Sequence, residues 1–271
     1  MRIGDINAMG GGNQGGNEPG QGTIDTEHIT TIDDTEYDTA KTRVFYTDGT
    51  YDDFAWEGEI TEDLVYGAEL FDVDPETYEY TWTKDIREVH FGTAVTQIDS
   101  YAFSRNTTLS SITFERFANV SISGGAFSEC PNLTDAAGLC VIKGSLVCVD
   151  PAKLGSNVTI PTVPYQIQRI ASYSMVNKIY GRLVHVTIPG NVEILYGAFA
   201  ECNYITDLYL PDMEIDDVRY TDPACNSWDL GVSYNPETEE SQYREITIHC
   251  SDGTIVQDTS GNWTNYPNEQ S

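Results

Sequence analysis

The stretch "GAFSEC" at residues 125–130 decides the fold, because it returns as "GAFAEC" at 197–202 and, more weakly, as "YAFSRN" at 101–106. The alanine of this phrase falls at positions 102, 126 and 198, so the separations are 24 and 72 residues, and 72 is three times 24. A fixed period with an apolar pair in each copy predicts a solenoid with a period of about 24, in which each copy buries its phenylalanine against its neighbours.

The repeat is interrupted in the middle of the chain. Two further steps of 24 residues after position 126 fall at 150, where the phrase is missing, and at 174, where Met175 takes the place of the phenylalanine. The break has a local cause, because "LCVIKGSLVCVDP" contains two apolar segments around Lys143-Gly144. A two-residue turn of this kind predicts a β-hairpin insertion near 139–151.

Short apolar-polar-apolar triplets accompany the repeat, and each predicts a strand. They are "VHF" at 89–91, "ITF" at 112–114, "VTI" at 158–160 and 186–188, "LYL" at 208–210 and "ITI" at 246–248. Stacked strands of this kind form a narrow sheet along a solenoid. The predicted fold class is therefore mainly β with irregular turns.

Alternation within the strands predicts which side chains are exposed. The outer residues of each triplet should point inward, whereas the middle residue and the one just before the triplet should point outward. The resulting strand row of candidate ligand-binding residues is Glu88, His90, Ser111, Thr113, Asn157, Thr159, His185, Thr187, Asp207, Tyr209, Glu245 and Thr247. Such a strip suits an extended glycan or a protein edge, and a solvated face that binds nothing is the alternative.

Composition divides the rest of the chain. Residues 1–40 are Gly- and Asn-rich and then acidic, which predicts a flexible arm, and a hairpin signal at Asp48-Gly49 predicts a small β-rich module over 41–85. The repeat region is expected over 86–255, with a loop excursion at 211–243 and a polar tail at 256–271. Trp228 and Tyr234 of the excursion are additional binding candidates, because loops carry function more often than scaffolds do.

Charge excludes two classes of partner. The 271 residues carry 43 acidic and 14 basic side chains, a net charge of −29, which repels phosphate backbones and anionic headgroups. No nucleic acid partner is expected. No apolar stretch reaches the length that spans a bilayer, so no membrane insertion is expected either. The first residues contain no apolar signal segment.

Neither a metal site nor catalytic machinery is indicated. The six cysteines form no C-x-x-C pair, so no metal is predicted, and Cys140 and Cys148 can pair only if the compartment is oxidising. No hydrolase, metalloprotease or nucleotide-binding motif is present, which predicts no enzyme and no cofactor. A polysaccharide depolymerase is a third alternative, although no residue indicates its site.

The segments "VTQIDSYAF", "NVEILYGAFAEC" and "VTIPGNVEI" resemble the BspA-type leucine-rich repeats of bacterial surface proteins, and the likeness covers about 86–255. The resemblance implies a leucine-rich-repeat solenoid and non-enzymatic binding of host proteins, cells or glycans at a surface. Similar repeats occur in tail proteins of phages that infect gut bacteria.

These observations predict an exposed virion component, a phage tail protein that is structural and mediates host attachment. Its arm would bind other virion proteins, its repeats would bind a bacterial surface glycan or protein, and a homo-oligomer is expected because tails repeat their outer proteins with rotational symmetry. The alternative is a secreted or surface-anchored adhesin of the BspA type.

Overall fold

The computed structural model describes residues 23–24, 37–76, 80–115, 120–161, 165–175, 183–190, 192–200, 202–220, 228–235 and 240–268. Most of the predicted arm, residues 1–40, lies outside the described residues, and its flexibility stays a prediction.

The described chain is mainly β, with few helices. In chain order its strands are β1 (Thr23–Ile24), β2 (Thr42–Tyr46), β3 (Tyr51–Phe54), β4 (Gly58–Ile60), β5 (Phe71–Val73), β6 (Tyr80–Trp82), β7 (Ile86–Phe91), β8 (Val95–Ile98), β9 (Ser111–Phe114), β10 (Ser121–Ile122), β11 (Leu139–Ile142), β12 (Ser145–Val149), β13 (Asn157–Thr159), β14 (Arg169–Ile170), β15 (His185–Thr187), β16 (Glu193–Ile194), β17 (Asp207–Leu210), β18 (Val232–Asn235), β19 (Glu240–Tyr243), β20 (Ile246–Cys250), β21 (Gly253–Gln257) and β22 (Trp263–Pro267). The α-helices are α1 (Glu62–Gly67), α2 (Pro151–Leu154) and α3 (Ile215–Tyr220), and one 3₁₀ turn covers Pro131–Leu133.

The first two helices begin where the sequence supplies a capping side chain. Thr61 Oγ1 accepts a hydrogen bond of 3.2 Å from the backbone of Leu64 at the start of α1. Asp150 Oδ1 accepts one of 3.0 Å from Ala152 at the start of α2. Caps of this kind satisfy backbone donors that have no partner inside the helix.

The triplet strands form what we call the wide ladder, which has two parts. In the first, β7 and β9 are parallel, and β2 and β3 extend the sheet in the order β3-β2-β7-β9. In the second, β13, β15, β17 and β20 are parallel, and β21 and β22 add two antiparallel strands at the end. Outer triplet residues such as Val186, Ile188, Leu208 and Leu210 are buried, as alternation predicts.

A second set of short parallel strands forms what we call the narrow ladder. It also has two parts, with the orders β10-β8-β4 and β12-β14-β16. Gln97 pairs with Ser121, and Arg169 pairs with both Ser145 and Glu193, so each of these partners lies 24 residues further along or back.

The repeated phrase supplies the core. Phe103, Phe127, Met175 and Phe199 are fully buried, which confirms their prediction as core residues. The rings of Phe103 and Phe127 stack with centroids 5.9 Å apart. The copies also share a cysteine contact, since the Sγ atoms of Cys130 and Cys202 donate to the carbonyl oxygens of Phe103 and Met175 respectively.

The hairpin of β11 and β12 lies where the two parts of the core meet. Lys143 and Gly144 both have positive φ, 50° and 71°, which matches the twist of a tight two-residue turn. Cys140 lies directly opposite Cys148 across the hairpin, and both are buried free thiols. On the outer edge of β11, the arm strand β1 pairs in parallel through Thr23 and Ile24.

The segment predicted as a small β-rich module, 41–85, contributes strands to both ladders. β2 pairs antiparallel with β7, and β4 pairs in parallel with β8. Val44 and Trp56 lie in the same hydrophobic cluster as Phe91 and Phe103 of the repeats. The first repeat strands are therefore covered by this segment and do not form a free end.

The region after Leu210 is more regular than a loop excursion and a polar tail. Within 211–243 lie helix α3 and the antiparallel pair β18–β19. Within 256–271, β22 pairs along β21 from Trp263 to Pro267 and continues the wide ladder.

Candidate functional site

The second part of the wide ladder brings the predicted row together on one exposed face. Asn157, His185, Asp207 and Thr247 are paired in one line across the strands. Thr159, Thr187, Tyr209 and His249 are paired in the next. We call these eight side chains the ladder face.

The register of the last strand corrects the prediction. Thr247 pairs with Asp207 rather than with Tyr209, so Glu245 lies before β20 and the partner of Tyr209 is His249. His249 was missed because "ITI" was aligned by its apolar residues alone. A shift of two residues keeps the same side chains inside, so alternation does not separate the two registers.

The face also continues onto strands that the sequence did not indicate. Thr254 pairs with His249 and Tyr266 pairs with Thr254, which places both in line with Tyr209. Tyr266 is 56% exposed and adds a second aromatic ring to the face.

At the centre of the face, one carboxylate joins two imidazoles. Asp207 Oδ1 accepts a hydrogen bond of 2.9 Å from Nε2 of His249. Asp207 Oδ2 lies 3.0 Å from Nδ1 of His185, which is an ion-pair distance, although the angle is not that of a hydrogen bond. Three adjacent strands thereby place these side chains next to one another on the same side of the sheet.

Asp207 stays ionised in this setting. Partial burial raises the pKa of its carboxyl, but hydrogen bonds from His249 and Thr206 and the charges of the two imidazoles outweigh it, so the pKa lies below its ordinary value. Thr206 Oγ1 donates to Oδ2 at 2.8 Å. The face therefore presents a fixed carboxylate acceptor between two imidazoles.

The ring of Tyr209 supplies a flat apolar surface beside this cluster. It stacks on His249 with centroids 4.2 Å apart and an interplanar angle of 6°. Tyr209 is 36% exposed, so part of the stacked pair faces solvent. Together with the threonines and Asn157, the face can stack against a planar or ring-shaped group and can both donate and accept hydrogen bonds.

The N-terminal part of the predicted row does not form a free surface, and the prediction for His90 was wrong. His90 is 1% exposed because Tyr37 packs edge-on against its ring at 5.7 Å and Glu115 lies beside it. Its Nδ1 is 2.6 Å from Thr113 Oγ1, and its Nε2 is 3.0 Å from Glu115 Oε1. Burial lowers the pKa of His90 despite the opposing effect of Glu115.

The neighbours of His90 are covered as well. Glu88 lies opposite Phe45 of β2, and burial raises the pKa of its carboxyl. Ser111 and Thr113 are half-buried in β9. β2 lies beside β7 in the same sheet, and Tyr37 precedes β2 and packs on His90. The triplet pattern contains no information about either contact.

The two binding candidates in the loop excursion, Trp228 and Tyr234, have different outcomes. Trp228 is fully buried and packs against Phe199 with ring centroids 6.4 Å apart, so its prediction as a binding residue of the loop was wrong. Its backbone carbonyl accepts a hydrogen bond of 3.0 Å from Phe199, where the repeat places its apolar phrase. The side chain of Tyr234 lies outside the described residues.

The described ranges also bear on metal binding and on membrane crossing. No cluster of three or more His, Cys, Asp and Glu side chains there is arranged to hold a metal ion. No helix in this part of the chain combines the length and apolar character needed to cross a bilayer.

Comparison with known proteins identifies the repeat. The family model described as the BspA type Leucine rich repeat region matches in six copies, over residues 76–206 and 154–220. Searches of curated proteins and of solved structures found no match. The matched residues make up more than half of the chain and include β13, β15 and β17 of the ladder face. The chain therefore belongs to the BspA-type leucine-rich repeat family.

Proposed function

We propose that this protein is a non-enzymatic attachment protein whose ladder face binds a bacterial surface glycan or protein. The observation that carries the proposal is the partly exposed cluster of Asp207, His249 and Tyr209, where a hydrogen-bonded carboxylate lies beside a stacked aromatic pair. Membership of a repeat family associated with surface adhesion supports the same reading.

The shape of the face favours an extended partner. Adjacent strands lie about 4.8 Å apart, so equivalent side chains recur at short, regular intervals from Asn157 to Thr247. We infer that the repeats wind as a solenoid, and the 24-residue offsets of the narrow ladder support this. The net charge of −29 favours an uncharged glycan or a basic protein patch over an anionic polymer.

We further propose that the protein is carried on the exterior of a phage tail. In this proposal the Gly-rich arm binds other virion proteins, ordering on them when the particle assembles, and several copies assemble with rotational symmetry. A bacterial surface adhesin is the second candidate, and family membership favours it.

Immunogold electron microscopy on a fractionated native culture tests whether the protein is carried on phage particles or on bacterial cells. An antibody against residues 86–255 is applied to phage particles and to cell envelopes, with label competed by purified chain as the control. Label at a defined tail position supports the virion proposal. Label on envelopes with blank particles overturns it in favour of the adhesin.

A further inference from the structure

A second candidate site lies in the turns that follow β8 and β10. There a cavity of about 200 Å³ is lined by Tyr80, Tyr101, Tyr173, Ser128 and the pair Arg105–Glu129. None of these residues belongs to the ladder face. The volume is below the 300–1,000 Å³ typical of pockets for drug-sized ligands, so it suits one ring-sized unit.

The carboxylate of Glu129 is only partly satisfied. Its Oε2 accepts a hydrogen bond of 2.9 Å from Arg105 Nε, and the side chain is 8% exposed. Its Oε1 is buried and has no hydrogen-bond partner among the described residues. Buried polar atoms are nearly always hydrogen-bonded, so an unpaired oxygen on Glu129, a residue that lines the pocket, indicates a missing donor.

Aromatic rings form the rest of the wall. The rings of Tyr101 and Tyr173 meet with centroids 5.3 Å apart at 55°, and the guanidinium of Arg105 lies 5.4 Å from the centroid of Tyr80. Gly125 lies between the first two, and a Cβ there would be 3.3 Å from Tyr101 and 3.4 Å from Tyr173. The absence of a side chain at Gly125 therefore leaves room for the two tyrosine rings.

Both tyrosines occupy backbone positions that favour glycine. Tyr101 and Tyr173 have φ of 63° and 57°, and the equivalent positions one repeat later are Gly125 and Gly197. A bulky residue with a positive φ is strained. A tyrosine at these two positions supplies a ring to the pocket wall, which a glycine would not.

We propose that this pocket binds a single uncharged sugar ring, free or at the end of a glycan. Arg105 already neutralises Glu129, so the unmet requirement is a neutral hydrogen-bond donor such as a hydroxyl. The terminal torsion of a glutamate is soft, so a small turn of the carboxylate presents an oxygen to the pocket while Arg105 holds the other. The tyrosine faces pack against the C–H surface of the ring.

The test is ligand-detected NMR on the full chain. The probes are methyl glycosides of glucose, galactose, mannose and N-acetylglucosamine, with methyl glucuronide and choline as charged comparisons. At least one neutral glycoside is expected to show saturation transfer and a measurable Kd. Tyr173→Ala should raise that Kd at least tenfold, whereas Tyr196→Ala, which removes a 63% exposed ring outside the pocket, should change it less than twofold.

Several outcomes overturn the proposal. The proposal is wrong if no neutral glycoside binds. It is also wrong if only choline or methyl glucuronide binds. An unchanged Kd in Tyr173→Ala has the same consequence. If thermal unfolding shows that Tyr173→Ala is not folded, Glu129→Gln is measured instead. This variant keeps the side-chain shape and removes the charge, so an unchanged Kd in Glu129→Gln contradicts the proposed site. Tyr209→Ala should retain glycoside binding, which separates this pocket from the ladder face.

Discussion

Nε2 of His249 donates a 2.9 Å hydrogen bond to Oδ1 of Asp207 across two adjacent parallel strands. This contact joins the last repeat strand to the one before it on the exposed side of the sheet. It also fixes the orientation of the imidazole on which the ring of Tyr209 stacks.

Acid titration should reveal this contact. The carboxyl of Asp207 has a pKa below its ordinary 3.8, so its contribution to stability is complete above that pH and is lost as the pH falls through the folded value. A ¹³C NMR titration of the carboxyl carbon should give a midpoint below 3.8. In His249→Gln the midpoint should rise, and a midpoint at or above 3.8 in the unmodified chain would contradict the assignment.

Truncation of the repeated phenylalanine should be severe. Phe199 is fully buried against Trp228, and removing a buried phenylalanine costs about 3–5 kcal/mol. Urea unfolding of Phe199→Ala should show this loss in the free energy of unfolding. The control Tyr196→Ala changes an exposed ring three positions earlier and should stay within about 0.5 kcal/mol. A loss below about 1 kcal/mol for Phe199→Ala would contradict the burial of this side chain.

The close approach of the segment before β2 to Gly92 can be tested by adding one methyl group. A Cβ on Gly92 would lie 2.3 Å from the carbonyl oxygen of Lys41 and 2.5 Å from that of Ala40. Gly92→Ala should therefore lose about 1–3 kcal/mol, the usual effect of overpacking. Gly67→Ala is the matched control, since a Cβ there would have no atom within 4 Å outside its own stretch of helix. Equal stability of the two variants, measured by urea unfolding, would show that the segment does not pack there.

Stability should also fall between pH 7.5 and 5.5 because of His90. Burial lowers the pKa of His90 in the folded state below its ordinary 6.5, so the unfolded chain binds a proton first and stability is lost as the pH drops below about 6.5. In His90→Gln the urea midpoint should depend less on pH over this range. An identical pH dependence in both proteins would mean that His90 is not buried as a neutral ring.

Local patterns were sufficient for much of the fold. The alanine-phenylalanine phrase predicts the core, because one buried ring per copy is needed to pack adjacent copies, and Phe103, Phe127 and Phe199 are all fully buried. The turn at Lys143-Gly144 was also readable, because the positive φ values that it requires depend on the residues at the turn itself.

Contacts between distant segments could not be predicted from local sequence patterns. Tyr37 covers His90 from a segment more than fifty residues earlier, and nothing in the "VHF" triplet distinguishes a covered strand from an exposed one. Trp228 lies in a polar stretch, and its burial depends on its contact with Phe199. The pocket at Glu129 depends on Tyr80 from the segment before the repeats and on Tyr101 and Tyr173 from two repeat turns, and only the folded chain brings the three together.

The most direct test of the proposed function is binding of the fluorescently labelled full chain to a panel of bacterial isolates, measured by flow cytometry. Saturable binding to at least one isolate is expected, with an apparent Kd at least tenfold higher for the double variant Tyr209→Ala/His249→Ala and within twofold for Tyr196→Ala. Unfolding curves establish that each variant is folded. Equal binding by the double variant and the unmodified chain, or no binding to any isolate, would contradict the claim that the ladder face attaches this protein to bacterial surfaces.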